Sequence, residues 1–320
     1  MEITLCENGL YLAIGVTPEG DVRLFNLSDR ALPAPEDGRW FRLVEVQESG
    51  QSQDDNCGSR HTCTQPGSLL RYVSHSITVN GYGRKLELRQ RWRGLTVTSH
   101  LQFYTGVRAV RSWTELESAE TEETHPIEYL SSFRLTGLGR GVAGERNAEH
   151  TVRIPYSTWC GEAQWRACPL SQLGCAPYLG GEGSFSKARV ALASTGTWPA
   201  GEHLPMGSFS EADTGHTVTW QLETAGSWNW ELSGIRSRLC LALSGPSLQE
   251  NGFTLMLRPG RRFVSVPCAV AWGEDFEQTI RELTKYRRRI RRPNADNEHP
   301  SVIFNDYMNC LWGDPTAEKE

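Results

Sequence analysis

The stretch RKLELRQRWRGLTVTSHLQFYTGVRAVRSWTEL, residues Arg84 to Leu116, decides the fold class. Leu86, Leu88 and Gln90 fall on one face of a period-two run, the signature of a half-buried strand. Gly94 separates this run from LTVTSHLQFY (Leu95–Tyr104), and Thr105-Gly106 separates that from VRAVRSWTEL (Val107–Leu116), so two hairpins are predicted in succession. Further strands are predicted at Phe41–Val46, Tyr72–Val79, Glu128–Leu135 and Ala188–Ser194. The series closes with Thr217–Glu223, Arg238–Ser244, Phe253–Leu257 and Phe263–Ala271. That is too many for one small sandwich; a large antiparallel double sheet of roughly 250 residues fits the length of all-β domains.

The pattern changes at EDFEQTIRELTKYRRRIRR (Glu274–Arg292). Phe276, Ile280, Leu283, Tyr286 and Ile290 recur about one helical turn apart, acidic residues open the segment and arginines close it, and Pro293 stops it. After a polar loop comes VIF (Val302–Phe304), read as a buried strand followed by turn residues and a helix start, the unit of a parallel α/β fold. In a (β/α)8 barrel the functional residues follow each strand, which would put Asn305, Asp306 and Tyr307 at such a rim. The expected organisation is a mainly β domain over 1–272, a linker helix and loop over 273–299, and the first strand of a truncated barrel over 300–320.

Composition narrows the function classes. A net charge of −5 argues against a general nucleic-acid binder, and no apolar run is long enough for a membrane span. The N-terminus lacks the basic and apolar regions of a signal peptide. The nine cysteines include no C-x-x-C pair, so free thiols in a reducing cytoplasm are the simplest reading, with a Cys57–Cys63 disulfide as the alternative. No phosphate-binding, dinucleotide, metalloprotease or nucleophile-elbow motif is present, so no cofactor and no metal are expected. The 11 tryptophans fit either a sheet-on-sheet core or sugar-stacking surfaces.

Four stretches invite a functional reading. TWQLETAGSWNWEL (Thr219–Leu232) reads as two strands around an Ala225-Gly226-Ser227 hairpin turn, its tryptophans packing across strands or reaching toward a sugar. IPYSTWCGEAQWRAC (Ile154–Cys168) reads as loop-like, with Trp159 lining a ligand or subunit contact or else capping the core. QDDNCGSRHTCTQPG (Gln53–Gly67) groups Asp54, Asp55, Arg60 and His61 in a polar loop, where solvation or an interface competes with an acid/base role. YRRRIRR (Tyr286–Arg292) reads as a solvated helix face rather than a phosphate site.

Three segments carry a family resemblance. LPMGSFSEADTGHTVTWQLETAGSWNWEL, LRPGRRFVSVPCAVAWGEDFEQTIRELTKYRRRIRR and HPSVIFNDYMNCLWGDPTAEKE together resemble the α-galactosidases of glycoside hydrolase family 36. The segments Arg111–Ser118, Glu128–Leu135 and Trp159–Trp165 agree. The resemblance implies an N-terminal β-supersandwich, a helical linker, a catalytic (β/α)8 barrel and a C-terminal β domain. It implies removal of terminal α-linked galactose from oligosaccharides of the melibiose and raffinose type, with retention of configuration. Retention needs two carboxyl groups about 5–5.5 Å apart. In the family these follow later barrel strands, so the nucleophile and the acid/base are expected beyond residue 320 and the isolated chain is expected to be inactive. Carried over by position, Asp306, Tyr307 (where the family often has tryptophan) and Trp312 are the expected sugar contacts after the first barrel strand. Family members often form tetramers in which an N-terminal loop reaches a neighbour's active site; Trp159 or the Asp54–His61 loop would do so here. The competing reading is a standalone carbohydrate-binding or oligomerisation β-sandwich module; a mutarotase-like enzyme on the same sandwich is a third class, for which no motif places a His and Glu pair.

Overall fold

The computed structural model describes residues 1–54, 61–120, 123–140, 149–175, 188–236 and 238–305. Its body is two large antiparallel sheets packed face to face, with a three-stranded sheet (Glu2–Glu7, Leu10–Val16, Val22–Ser28) at one side. The larger sheet runs in the order Gly161–Pro169, Thr151–Thr158, Met206–Ser210, Thr217–Leu222, Cys268–Gly273, Val107–Ser118, Leu95–Tyr104, Arg84–Trp92 and Arg71–Val79; Arg262–Val264 joins it beside Val107–Ser118. The smaller sheet runs Arg189–Ser194, Trp228–Ile235, Arg238–Ser244, His125–Thr136 and Leu255–Leu257, with Val46–Glu48 also on His125–Thr136.

The alternation that predicted Arg84–Trp92 is the alternation that buries it. Leu86, Leu88, Gln90 and Trp92 face the core while Arg89 and Arg91 are exposed. The segment Thr219–Leu232 corrects the hairpin expectation. Thr217–Leu222 belongs to the larger sheet and Trp228–Ile235 to the smaller, so Ala225-Gly226-Ser227 carries the chain across the sandwich. Trp220 and Trp230 then meet between the sheets, ring centroids 5.2 Å apart and edge-on at 75°. Period-two alternation identifies a strand but does not name its partner.

Other segments depart from expectation; of the strand expected over Phe41–Val46, only Val46 lies in a strand, Val46–Glu48. Ile154–Cys168, read as loop-like, lies in an antiparallel hairpin, Thr151–Thr158 against Gly161–Pro169, at the edge of the larger sheet. Its backbone finds a ladder partner because the tight turn at Trp159-Cys160 returns the chain at once. The first hairpin, Glu2–Val16, lay outside the predicted series. Its signal is the Asn8-Gly9 turn, both residues at positive φ (53° and 80°), flanked by alternating Ile3, Leu5, Leu10 and Leu12.

The linker helix spans Phe276–Ile290, capped by Asp275, whose side chain accepts from Gln278 N–H. It lies on the outer face of the larger sheet, where Leu283 and Tyr286 pack on Tyr104, Val107, Ala109, Ala269 and Ala271. The three alanines let the helix approach closely. The polar rim finishes the dock. Tyr286 Oη donates to Glu223, Arg111 Nε donates to Glu223 at 2.9 Å, Arg287 Nε donates to Gln221 at 2.8 Å, and Glu282 accepts the Arg108 N–H at 2.8 Å. Burial, reinforced by the Glu223 carboxylate, holds the Tyr286 phenol far above the usual tyrosine range. Beyond the helix and the short turn Ala295–Glu298, residues 301–305 form no regular element, and Val302, Ile303 and Phe304 are exposed. The expectation of a buried strand over Val302–Phe304 is therefore not met among the described residues.

Candidate functional site

Asp306, Tyr307 and Trp312 lie outside the described residues, as does the Asp55–Arg60 part of the polar loop. The expected site residue that the structure does describe is Trp159. It sits in the hairpin turn between Thr158 and Gly161, 78% exposed. A second indole that sequence reasoning did not single out, Trp198, stands beside it at 64% exposed, ring centroids 6.3 Å apart and planes at 72°. Its only sequence signal is an isolated tryptophan in the polar loop Thr195-Gly-Thr-Trp-Pro.

The two supports are tied together by backbone bonds. Ser157 N–H donates to Glu202 C=O at 2.8 Å and Leu204 N–H to Pro155 C=O at 3.0 Å, which extends the Thr151–Thr158 ladder into the Trp198 loop. The loop is anchored from below as well, because the buried Trp228 donates its indole N–H to Pro199 C=O at 2.7 Å. A Cβ at Gly161 would lie 2.8 Å from Thr158 Oγ1 and 2.9 Å from Gln164 Nε2, so those side chains would have to shift to admit one. Alongside, Tyr156 packs obliquely on His203 (4.8 Å), with the Arg166 guanidinium 5.3 Å from its ring centre.

The tryptophans of Thr219–Leu232 do not form a sugar surface. Trp220, Trp228 and Trp230 are each fully buried. Trp230 donates to Met206 C=O at 3.1 Å. Of the two uses considered for that segment, core packing is the one observed.

The described ends of the polar loop belong to a buried ionic hub. Glu45, fully buried, accepts from Thr64 N–H at 3.1 Å and Oγ1 at 2.5 Å and faces Arg42 Nη1 at 3.3 Å and Arg134 Nε at 3.7 Å. Asp54 pairs with Arg42 and Arg39. Arg134 spends its other donors on the Arg42, Trp40 and Thr62 carbonyls, each at 2.9 Å. His61 stacks on Tyr129 at 3.9 Å, and burial, with the charge of Arg189, drives its pKa down to about 3. A neutral, stacked imidazole is a packing element here. Cys63 in this loop is disulfide-bonded, which corrects the all-free-thiol expectation, while Cys6, Cys160, Cys168, Cys175, Cys240 and Cys268 form no disulfide. The sequence alternative, Cys57–Cys63, has its other half outside the described residues.

The arginines of Tyr286–Arg292, read as a solvated helix face, are exposed, but two of them also bond to the protein. Arg287 binds Gln221, and Arg289 donates to Gly81 C=O at 3.1 Å, fastening the helix end to the sheet. Among the described residues no group of three or more His, Cys, Asp or Glu is placed to hold a metal ion, and no helix is long and apolar enough to cross a membrane.

No family model and no curated protein matches the chain. Solved structures do. The chain is similar to the family 36 α-galactosidase AgaB of Geobacillus stearothermophilus, with TM-score 0.70 and 14% identity over 96% of this chain and 44% of that one. It is similar to the AgaA A355E α-galactosidase of the same organism in complex with 1-deoxygalactonojirimycin, with TM-score 0.70 and 13% identity over 95% and 45%. An α-galactosidase from Lactobacillus brevis matches with TM-score 0.66 and 10% identity over 90% and 42%. The fold is thus that of the β-sandwich part of these proteins, and the chain spans less than half the length of each.

Proposed function

We propose that this chain is the N-terminal part of a retaining α-galactosidase acting on terminal α-galactosides of the melibiose and raffinose type. The observation that carries the reading is the match of the sandwich and linker helix, over 96% of this chain, to 44% of a family 36 α-galactosidase. On this reading 1–272 is the supersandwich, 273–299 the linker, and 300–320 the opening of a barrel that supplies the nucleophile and the acid/base. Asp306, Tyr307 and Trp312 then contact the sugar at the barrel rim, and Trp159 meets substrate from the sandwich side, across a subunit boundary in a homotetramer. The docked helix supports this: a rigid link, clamped by Glu223, Tyr286 and Arg111, fixes where the following unit begins. Solved α-galactosidases of this fold carry raffinose or stachyose in their complexes, which supports the substrate class.

The six cysteines that form no disulfide favour a cytoplasmic protein. The Cys63 disulfide pulls the other way, and thiol titration of freshly isolated protein with and without reductant decides between them.

The second reading, a standalone carbohydrate-binding or oligomerisation module, is favoured by the exposed Trp159 and Trp198. Hydrolysis of p-nitrophenyl α-galactoside separates the two. The reading expects no turnover by the 320-residue chain and clear turnover, with retention, by the protein translated through the reading frame beyond Glu320. Turnover by the short chain, or a continuation without two acidic strand ends, would overturn it.

A further inference from the structure

We propose that Trp159 and Trp198 together form a saccharide-stacking corner that binds a galactoside on this chain alone, without the barrel or a partner subunit. Two indoles from separate loops meet at 72° with centroids 6.3 Å apart. One ring thus offers a face while the other closes the side, a concave corner rather than a flat patch. A pyranose fits such a corner through its C–H face. In galactose the axial O4 leaves the hydrogens of C3, C4 and C5 together on one side, a continuous apolar surface for one ring to cover.

Size argues for a small ligand over a second copy of the chain. At up to about 250 Å² per indole and exposures of 78% and 64%, the pair shows roughly 350 Å². That lies within the range of functional patches on monomers, about 300–600 Å². The two rings alone fall short of the ~800 Å² each partner contributes to a stable interface, so a contact between copies would need further surface around them.

The surroundings suit a sugar as well. Glu162 and Gln164, both exposed, follow the hairpin turn and Thr158 precedes it, so polar side chains lie close to Trp159 in the chain. The corner is also pre-formed. Backbone bonds at 2.8 and 3.0 Å tie the two loops, and the Trp228 indole pins Pro199, the residue after Trp198. Little ordering entropy is left to lose on binding.

The choice of galactoside rests on the α-galactosidase reading; the corner rests on the ring geometry. The test titrates the 320-residue chain with methyl α-galactoside to tens of millimolar, following tryptophan fluorescence. The same titration is run on Trp159→Ala and Trp198→Ala, with sedimentation of all three. The expected result is a saturable change in the parent chain and at least a tenfold weaker response in either variant, with sedimentation unchanged. No saturable response in the parent overturns the proposal, and so does a response that survives in both variants. Loss of self-association in the variants without any sugar response also overturns it, since the corner would then be a contact between copies. Because hydrolysis by the extended protein is a separate measurement, galactosidase activity without binding at the corner defeats only this inference. Binding at the corner without galactosidase activity defeats only the catalytic reading.

Discussion

Two groups of tryptophans divide this molecule. Trp220, Trp228 and Trp230 lie between the sheets with no measurable exposure, whereas Trp159 and Trp198 stand in solvent on adjoining loops. Both groups use edge-on indole pairs, 5.2 Å apart at 75° inside and 6.3 Å apart at 72° outside. The difference lies in what surrounds each pair. Inside, both strands are central members of their sheets, and the Trp228 and Trp230 indole N–H groups find carbonyl acceptors. Outside, the rings sit where an edge hairpin turns and no further layer of described chain covers them. An aromatic-rich composition therefore says little until each ring is assigned to a strand centre or a turn.

The comparison is broken most severely from the inside. Trp230→Ala should cost about 3–5 kcal/mol by opening a cavity between the sheets, seen as a large drop in the denaturant midpoint. If Trp230→Ala melted like the parent chain, the two-sheet packing described here would be wrong.

The helix dock comes next. Tyr286→Phe removes the hydroxyl that donates to Glu223 and should cost about 1–3 kcal/mol for the half-buried carboxylate that loses a donor. Limited proteolysis near residues 291–300 should quicken as the helix frays, and unchanged cleavage would mean that the apolar face alone holds it.

A third effect follows pH. The His61 pKa is lowered from 6.5 to about 3 in the fold by burial, so in this interval the unfolded chain binds a proton that the folded chain refuses. The associated stability is complete above about pH 6.5 and is lost as pH falls toward about 3, at up to about 1.4 kcal/mol per pH unit. His61→Phe, which keeps the ring on Tyr129, should flatten the acid limb of the stability profile; an unaltered slope would show that His61 does not set it.

The smallest effect belongs to the outer pair. Trp159→Ala and Trp198→Ala should each change stability by no more than about 0.5 kcal/mol, as exposed side chains do. A larger loss in either would put that ring in the core's ledger.

The same contrast explains how much was legible beforehand. Strands such as Arg84–Trp92, Leu95–Tyr104 and Arg238–Ser244 are bounded in the structure where alternation and turn residues bound them in the sequence. The linker helix differs from its sequence reading by two residues at each end, because Asp275 caps it and the Arg291 carbonyl side is already turning out. Pairing was not legible. Nothing in Thr219–Leu232 says that its two strands join different sheets, since each buries both faces and period-two alternation specifies neither neighbour. The candidate site was legible only at Trp159. Trp198 is 39 residues away in sequence and becomes its neighbour through the Ser157–Glu202 and Leu204–Pro155 backbone bonds, which no local pattern announces.

One experiment tests the division directly: the unfolding midpoint of the parent chain, Trp230→Ala and Trp198→Ala, each with and without saturating methyl α-galactoside. The account predicts that Trp230→Ala melts far below the parent yet is still raised by the sugar, while Trp198→Ala melts with the parent and is not raised at all. A sugar-induced rise that persists in Trp198→Ala, or a baseline loss there as large as in Trp230→Ala, would contradict it.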